Sequence, residues 1–276
     1  RHIQAGGQAW VLEQGMNGHM ITIYDSEAHT PLVWTHLIPA TIEGRALHNV
    51  QNAMFAAALA RNMGIGLEDI RHGLRTFDST YFQAPGRMNI YDEHPFRVIL
   101  DYAHNPAAVK VMCDLVDRFD VDGKRIVVLA APGDRRDEDI REIAATAAGH
   151  FDRFVCRCDD NRRGRGDDEV AVMLKNRLLE LGIASDRIEV IADEQEANTR
   201  ALEMAEPGDL VMILGDNTRR AWKQIIYFNS GAHGDGPKKK PATPVDLPAI
   251  GGFEFGDDVE IISDDRGVRI AREEGD

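Results

Sequence analysis

The 276-residue chain has only three cysteines, Cys113, Cys156 and Cys158, and no C-x-x-C pair. So sparse and odd a set excludes a disulfide framework or zinc ribbon, and it fits a reducing cytoplasm. No apolar run reaches the roughly 18–20 residues needed to cross a bilayer, which excludes a transmembrane helix. Basic residues are scarce too, with 32 Lys and Arg against 46 Asp and Glu and a net charge of −14. A duplex-binding protein needs a broad basic face, so nucleic acid is not expected as a partner. The N-terminal RHIQAGGQAW lacks an initiating Met and an apolar signal region, so a non-secreted piece of a longer protein is expected. The ten His are scattered, and no protein-only metal site is expected. Also missing are the phosphate loop G-x-x-x-x-G-K-S/T, the dinucleotide fingerprint G-x-G-x-x-G, and the hydrolase motifs G-x-S-x-G and H-E-x-x-H.

What is present falls into three zones. In the first, residues 1–83, strand-like runs at 9–12, 20–24 and 32–38 are punctuated by turn residues. An Ala-rich helix is expected from His48 to Met63, ended by Gly64, and its small side chains suit close approach to a sheet or ligand. Leu67, Ile70, Leu74 and Phe77 then recur at helical spacing. In the second zone, residues 84–228, runs at 98–100, 126–131, 154–158, 188–192 and 210–214 each precede an amphipathic helix. That alternation predicts an α/β fold, a parallel sheet wrapped on both faces. Cys156 and Cys158 are expected as half-buried strand residues. In the third zone, residues 229–245 read as a Gly/Pro/Lys linker and the acidic tail as flexible, with a possible hairpin at 259–270.

Right-handed crossovers place all five strand-to-helix loops on the carboxyl edge, where sheets of this class bind ligands. Seven arginines, at 135, 136, 162, 163, 165, 219 and 220, fall into three of these loops. Arginine forks suit carboxylates and phosphates, so the edge is expected to hold anionic substrates. The interleaved Asp and Asn either bind cationic partners or neutralise the arginines. Within DYAHNP (101–106), Asn105 and Pro106 are helix-start residues. Asp101 is a candidate for ribose hydroxyls, and His104 for a ligand contact, a proton carrier or a loop stabiliser. Pro85-Gly86 turns the chain so that Arg87 reaches the inter-domain cleft, where it suits a γ-phosphate.

HNVQNAMFAAALA, APGR, DYAHNP and GDRRDED, in this order and spacing, resemble the later half of the Mur ligase family of ATP-dependent amino-acid ligases. The longer strings RHGLRTFDSTYFQAPGRMN, VVLAAPGDRRDEDI, CRCDDNRRGRGDDEV and AWKQIIYF are similar to that family's cyanophycin synthetase branch. The resemblance implies that residues 1–80 end a central ATPase domain whose P-loop is absent here. It implies a Rossmann-like C-terminal domain at 84–228, followed by the linker and tail at 229–276. It further implies adenine contacts at His48, Asn49 and Asn52, phosphate contact at Arg87 and ribose contact at Asp101. Asn105, Asp134, Arg135, Arg136, Asp159, Asp160, Asn161, Arg162, Arg163 and Arg165 are the implied substrate contacts. The implied cofactors are ATP and Mg²⁺, the metal ligands lying mostly elsewhere. The implied partners are L-arginine, the growing aspartate–arginine polymer, the rest of the polypeptide and further copies of it. Arg87 and His104 are the implied catalytic residues. The alternatives are another Mur-type ligase (muramyl peptide, folylpolyglutamate or dipeptide-recycling), or a polymer-binding module without catalysis of its own.

Overall fold

The computed structural model describes residues 2–228, 259–264 and 267–272. Three N-terminal strands, β1 (Gln8–Gly15), β2 (Gly18–Asp25) and β3 (Ala28–Trp34), form an antiparallel meander. Two-residue turns join them, since Gly15 pairs with Gly18 and Asp25 with Ala28. Two helices follow: α1 (Leu47–Asn62), ended by Gly64 in the left-handed region, and α2 (Leu67–Thr76). Val50, Ala53 and Ala57 are the buried stripe of α1, and the last two share a core with Ile21, Ile23, Val33 and Ile70. The short alanine side chains let that stripe lie close against the meander, as helix-to-sheet packing requires. Arg71 of α2 donates to Pro31 O at 2.7 Å and Leu32 O at 2.8 Å, tying the helix to β3.

The second half is a six-stranded sheet in the order β4-β5-β9-β6-β7-β8. Its strands are β4 (Asn89–Tyr91), β5 (Arg97–Asp101), β6 (Arg125–Leu129), β7 (Arg153–Cys156), β8 (Ile188–Val190) and β9 (Leu210–Leu214). All neighbours pair in parallel except β4, an antiparallel edge strand too short to register in the apolar pattern. The five helices are α3 (Pro106–Val116), α4 (Asp137–Ala147), α5 (Glu169–Glu180), α6 (Glu194–Glu203) and α7 (Thr218–Tyr227). The period-2 alternation of the strands divides the core in two. Ile99, Val127, Leu129, Phe154 and Met212 face α3, α4 and α5. Val98, Leu100, Val128, Val155 and Ile213 face α6 and α7. Because both faces are covered, Cys156 and Cys158 are fully buried rather than half-buried.

Asn105, Asp193 and Asn217 cap α3, α6 and α7, their side chains accepting from Ala108 N, Glu196 N and Arg220 N. The segment before α1 packs into the larger half, Ile42 and Ala46 lying against its core. Residues 231–276 are a separate unit, in which β10 (Val259–Asp264) pairs antiparallel with β11 (Gly267–Arg272). The linker expected at 229–245 lies outside the described residues.

Candidate functional site

Two places concentrate the expected site residues. The first is a cavity of about 560 Å³, within the usual range for small-molecule sites. Ala53, Ala56, Ala57 and Ala60 of α1 line one wall, Ile70 and Leu74 of α2 another, and Arg87 stands with Asn49 and Asn52 among the polar lining. Asn52 donates to Asn49 Oδ1 at 3.1 Å, and Asn49 donates to Ala40 O at 2.7 Å. These bonds orient both amides and leave Asn52 Oδ1 unused. His48 sits on the same helix but does not line the cavity. Burial pushes its imidazole pKa down.

Arg87 is held there by its turn. Gly86 has φ +68°, and a Cβ on it would lie 2.5 Å from Thr218 Cγ2, so only glycine fits. Asn89, fully buried, accepts from Gly86 N at 2.7 Å and donates to Ala84 O and Ser79 O. Asp101 accepts from Met88 N at 2.9 Å. The Arg87 guanidinium lies 5.7 Å from the centre of the Tyr102 ring. Asp101 therefore fastens the turn that carries Arg87, a structural role invisible in the sequence.

Burial pushes the Asp101 carboxyl pKa up, against the Met88 hydrogen bond and the Arg87 charge. A carboxyl raised on folding binds its proton more tightly in the folded state. Its ionisation therefore removes stability as pH rises from the ordinary carboxylate value through the folded one. Asp101→Asn abolishes that loss. The difference in urea midpoint between variant and wild type is expected to move in the variant's favour from pH 4 to pH 7. A pH-independent difference would contradict the buried-carboxylate assignment.

The second place is the carboxyl edge of the sheet, where the loops after β5, β6, β7 and β9 meet. The loops after β6 and β7 are zipped together. Gly133 lies so near Arg162 O that a Cβ would come within 2.2 Å of it. Arg165 donates to Gly133 O and Arg135 O and pairs with Asp137 and Glu169. Arg163 pairs with Asp134 at 2.7 Å, which holds the Asp134 carboxyl below its usual range. Arg136 pairs with Asp139, and Arg162 donates to the backbone oxygens of Asp159 and Ala192. The interleaved acids thus neutralise most of these arginines, the blander of the two expectations. Asn161 caps its own turn by accepting from Arg163 N.

Beneath this edge lies a charge network that the sequence reading missed. Arg157 is 1% exposed and bonds Leu214 O, Cys158 O, Asp159 Oδ1 and Glu194 Oε1. Glu194, fully buried, turns its other oxygen to Arg220, which in turn holds Asp160 at 2.8 Å. It also accepts from Asp216 N at 2.7 Å and from Asn217 N. Two neighbouring residues, Asp159 and Asp160, are therefore moored through two arginines to one glutamate. Burial raises the Asp159 pKa, whereas the Arg220 hydrogen bond lowers that of Asp160. The available signal was a lone arginine between two cysteines in an otherwise apolar strand run.

His104 Nδ1 lies 2.9 Å from Tyr102 O. A carbonyl oxygen only accepts, so Nδ1 carries a proton, and in the neutral ring the lone pair falls on Nε2. His104 shares a small cavity with Tyr102, Arg157, Asp159 and Asp216. Asn105, its neighbour, is committed to the cap of α3.

Residues 86–217 match the family described as Mur ligase, glutamate ligase domain. The cyanophycin synthetase of Trichormus variabilis is 36% identical over 231 residues, covering 82% of this chain and 24% of that protein. The chain belongs to the Mur ligase family. A 2,6-diaminopimelate ligase of Corynebacterium glutamicum is 33% identical over 171 residues, covering 60% of this chain and 32% of that protein. The chain spans about a quarter of the length of the cyanophycin synthetases it matches. Among solved structures, the folylpolyglutamate synthase/dihydrofolate synthase of Yersinia pestis, complexed with AMPPNP and a Mn ion, gives a TM-score of 0.54 at 23% identity. It covers 79% of this chain and 45% of that one. Mycobacterium tuberculosis folylpolyglutamate synthase gives 0.55 at 18%, covering 80% and 48%. At those identities the likeness establishes the fold alone. The matched segment begins at Gly86 of the arginine-bearing turn and ends at Asn217, the α7 cap, so it contains the edge of this Mur ligase domain except Arg219 and Arg220.

Proposed function

We propose that this chain supplies the adenine-facing helix and the amino-acid-facing edge of an ATP-dependent, ADP-forming ligase of the cyanophycin synthetase type, which adds arginine to aspartate side chains of a polymer. The observation that carries the reading is the convergence of Asn49, Asn52 and Arg87 on one cavity beside the carboxyl edge. The alanine wall suits a flat base, Asn52 Oδ1 an exocyclic amine, and Arg87 the phosphates. Asp101 stands at the end of β5 for the ribose, and its carboxylate already holds Met88 N. Mg²⁺ would neutralise phosphate charge. Among the described residues no group of three or more His, Cys, Asp or Glu is placed to hold a metal. A phosphate loop is also absent from the sequence, so both would come from outside these residues.

The chemistry fits such a division. The γ-phosphoryl group passes to the aspartate carboxylate and ADP leaves. The arginine α-amine then attacks the acyl carbon, the new C–N bond forms, and phosphate departs with the C–O electron pair. The amine must shed a proton, and His104 Nε2 has the lone pair to accept it. Positioning and charge neutralisation do most of the work, which suits a site built from fixed arginines.

The substrate reading is tested by titrating the chain with L-arginine, meso-diaminopimelate and L-glutamate and following binding by calorimetry. Arginine is expected to bind at least tenfold tighter than the other two. A preference for diaminopimelate or glutamate would assign the edge to another ligase of the family. Lacking a phosphate loop, the chain alone is expected to release no phosphate from ATP with arginine present. Turnover that follows this chain through purification would contradict that.

A further inference from the structure

We propose that the left-handed turn Ile42-Glu43-Gly44 is a positioning element that sets the amides of α1 in register with Arg87, an assignment that rests on the nucleotide reading of the cavity. φ is +51° at Ile42, +55° at Glu43 and +83° at Gly44. In that region the Cβ of an L-residue crowds the following carbonyl oxygen, and a β-branched side chain suits it least. Three such residues in a row close a full turn, Arg45 N donating to Ile42 O at 3.0 Å. Bulky residues persist there only where their surroundings over-determine them.

The turn is held from both sides. Toward the N-terminal half, Thr41 is fully buried. Its hydroxyl lies 2.6 Å from Thr35 O and 2.7 Å from Ile38 O, and it accepts from Gly44 N at 3.0 Å. A Cβ on Gly44 would stand 2.9 Å from Thr35 Oγ1, which favours glycine there. Toward the larger half, Ile42 packs against the core that contains Ala46 and Met88. Met88 is itself left-handed, at φ +49°, and directly follows Arg87. The Arg45 guanidinium lies 5.8 Å from the centre of the Phe119 ring, a second contact with that half.

The same turn carries the amides. Asn49 N donates to Ala46 O at 2.9 Å and its side chain to Ala40 O at 2.7 Å, so residues on either side of the turn fix Asn49. Asn52 then donates to Asn49. With ordinary right-handed or extended angles at 42–44 the chain would leave in another direction, and Ile42 and the start of α1 could not both keep their places. The turn therefore holds α1 and Arg87 at one spacing, as a ligand that spans the two requires.

The test is a double-mutant cycle read by ATP binding, with ligand-free hydrogen exchange beside it. Ile42→Ala is expected to weaken ATP at least fivefold in the wild-type background and less than twofold in Arg87→Ala, because a misplaced α1 costs little once the phosphate contact is gone. Equal losses in both backgrounds, or no loss in either, would overturn the assignment. Without ligand, Ile42→Ala is expected to speed exchange at least tenfold at Ala46 N, bonded to Thr41 O, and at Met88 N, bonded to Asp101. Exchange at Met212 and Ile213 in β9 should stay within twofold. An unchanged rate at Met88 N, or an equal rise in β9, would overturn the role of the turn. If wild type binds no ATP, the nucleotide reading fails, and the exchange rates still decide whether the turn joins the two halves. Should Ile42→Ala be unfolded at the assay temperature, Ile42→Val carries the same comparisons.

Discussion

Glu194→Ala is expected to lower the stability of the folded chain by about 3–5 kcal/mol, because removing one member of a buried ion pair leaves its partner charge uncompensated. Arg157, 1% exposed, would keep Asp159 and two backbone oxygens but lose its second carboxylate, while Arg220 would keep only Asp160. Asp216 N and Asn217 N would lose their acceptor as well. The double replacement Arg157→Met with Glu194→Leu removes both charges together and is expected to cost far less than the sum of the singles. Asp134→Ala provides the surface contrast. Asp134 and Arg163 are half exposed, so water screens the pair and breaking it should cost far less than the buried change. Urea unfolding of wild type, Glu194→Ala, Asp134→Ala, the double variant and its two single parents measures all of this. A Glu194→Ala loss no larger than that of Asp134→Ala would contradict the hub role.

Arg87→Ala is expected to weaken ATP binding about ten- to a hundredfold while leaving adenosine binding within twofold. A charge-assisted hydrogen bond to phosphate is worth about 1.5–3 kcal/mol, and adenosine has no phosphate to lose it. The guanidinium donates only to Gly86 O, at 3.3 Å, and rests near the Tyr102 ring. The side chain is exposed, so folding should be little affected. Equal weakening of ATP and adenosine would mean that the turn, not the charge, was lost. Equilibrium dialysis with both ligands separates the two.

The parallel sheet was legible because its five apolar runs and five helix starts are written in local chemistry. Asn105, Asp193 and Asn217 announce their helices, and the runs are too apolar to face water on either side. β4 was not legible, since three residues carry no periodicity and their place is fixed by pairing with β5. The Pro-Gly turn pointed Arg87 at a cleft, whereas Asn49 and Asn52 were implied only by the family resemblance, and their meeting in one cavity is a feature of the structure. The pairing of charges along the carboxyl edge was not legible. Sequence counts its arginines but cannot pair Arg163 with Asp134 or Arg220 with Asp160, contacts that span 29 and 60 residues. Arg157 and Glu194 escaped for the same reason. Each looks ordinary in its own segment, and only the crossing of β7, α6 and β9 turns them into one network.

The central claim is that the alanine-walled cavity binds the adenine nucleotide. Selective ¹³C labelling of alanine methyl groups during an ATP titration tests it most directly. Ala53, Ala56, Ala57, Ala60 and Ala84 all line that cavity, whereas Ala144, Ala171 and Ala201 lie buried in the cores of the Rossmann-like half. The five cavity methyls should shift together along one saturable isotherm, and the three core methyls should stay within line width. Saturable shifts confined to other alanines, or none at millimolar ATP with the fold intact, would contradict the assignment of this cavity to the nucleotide.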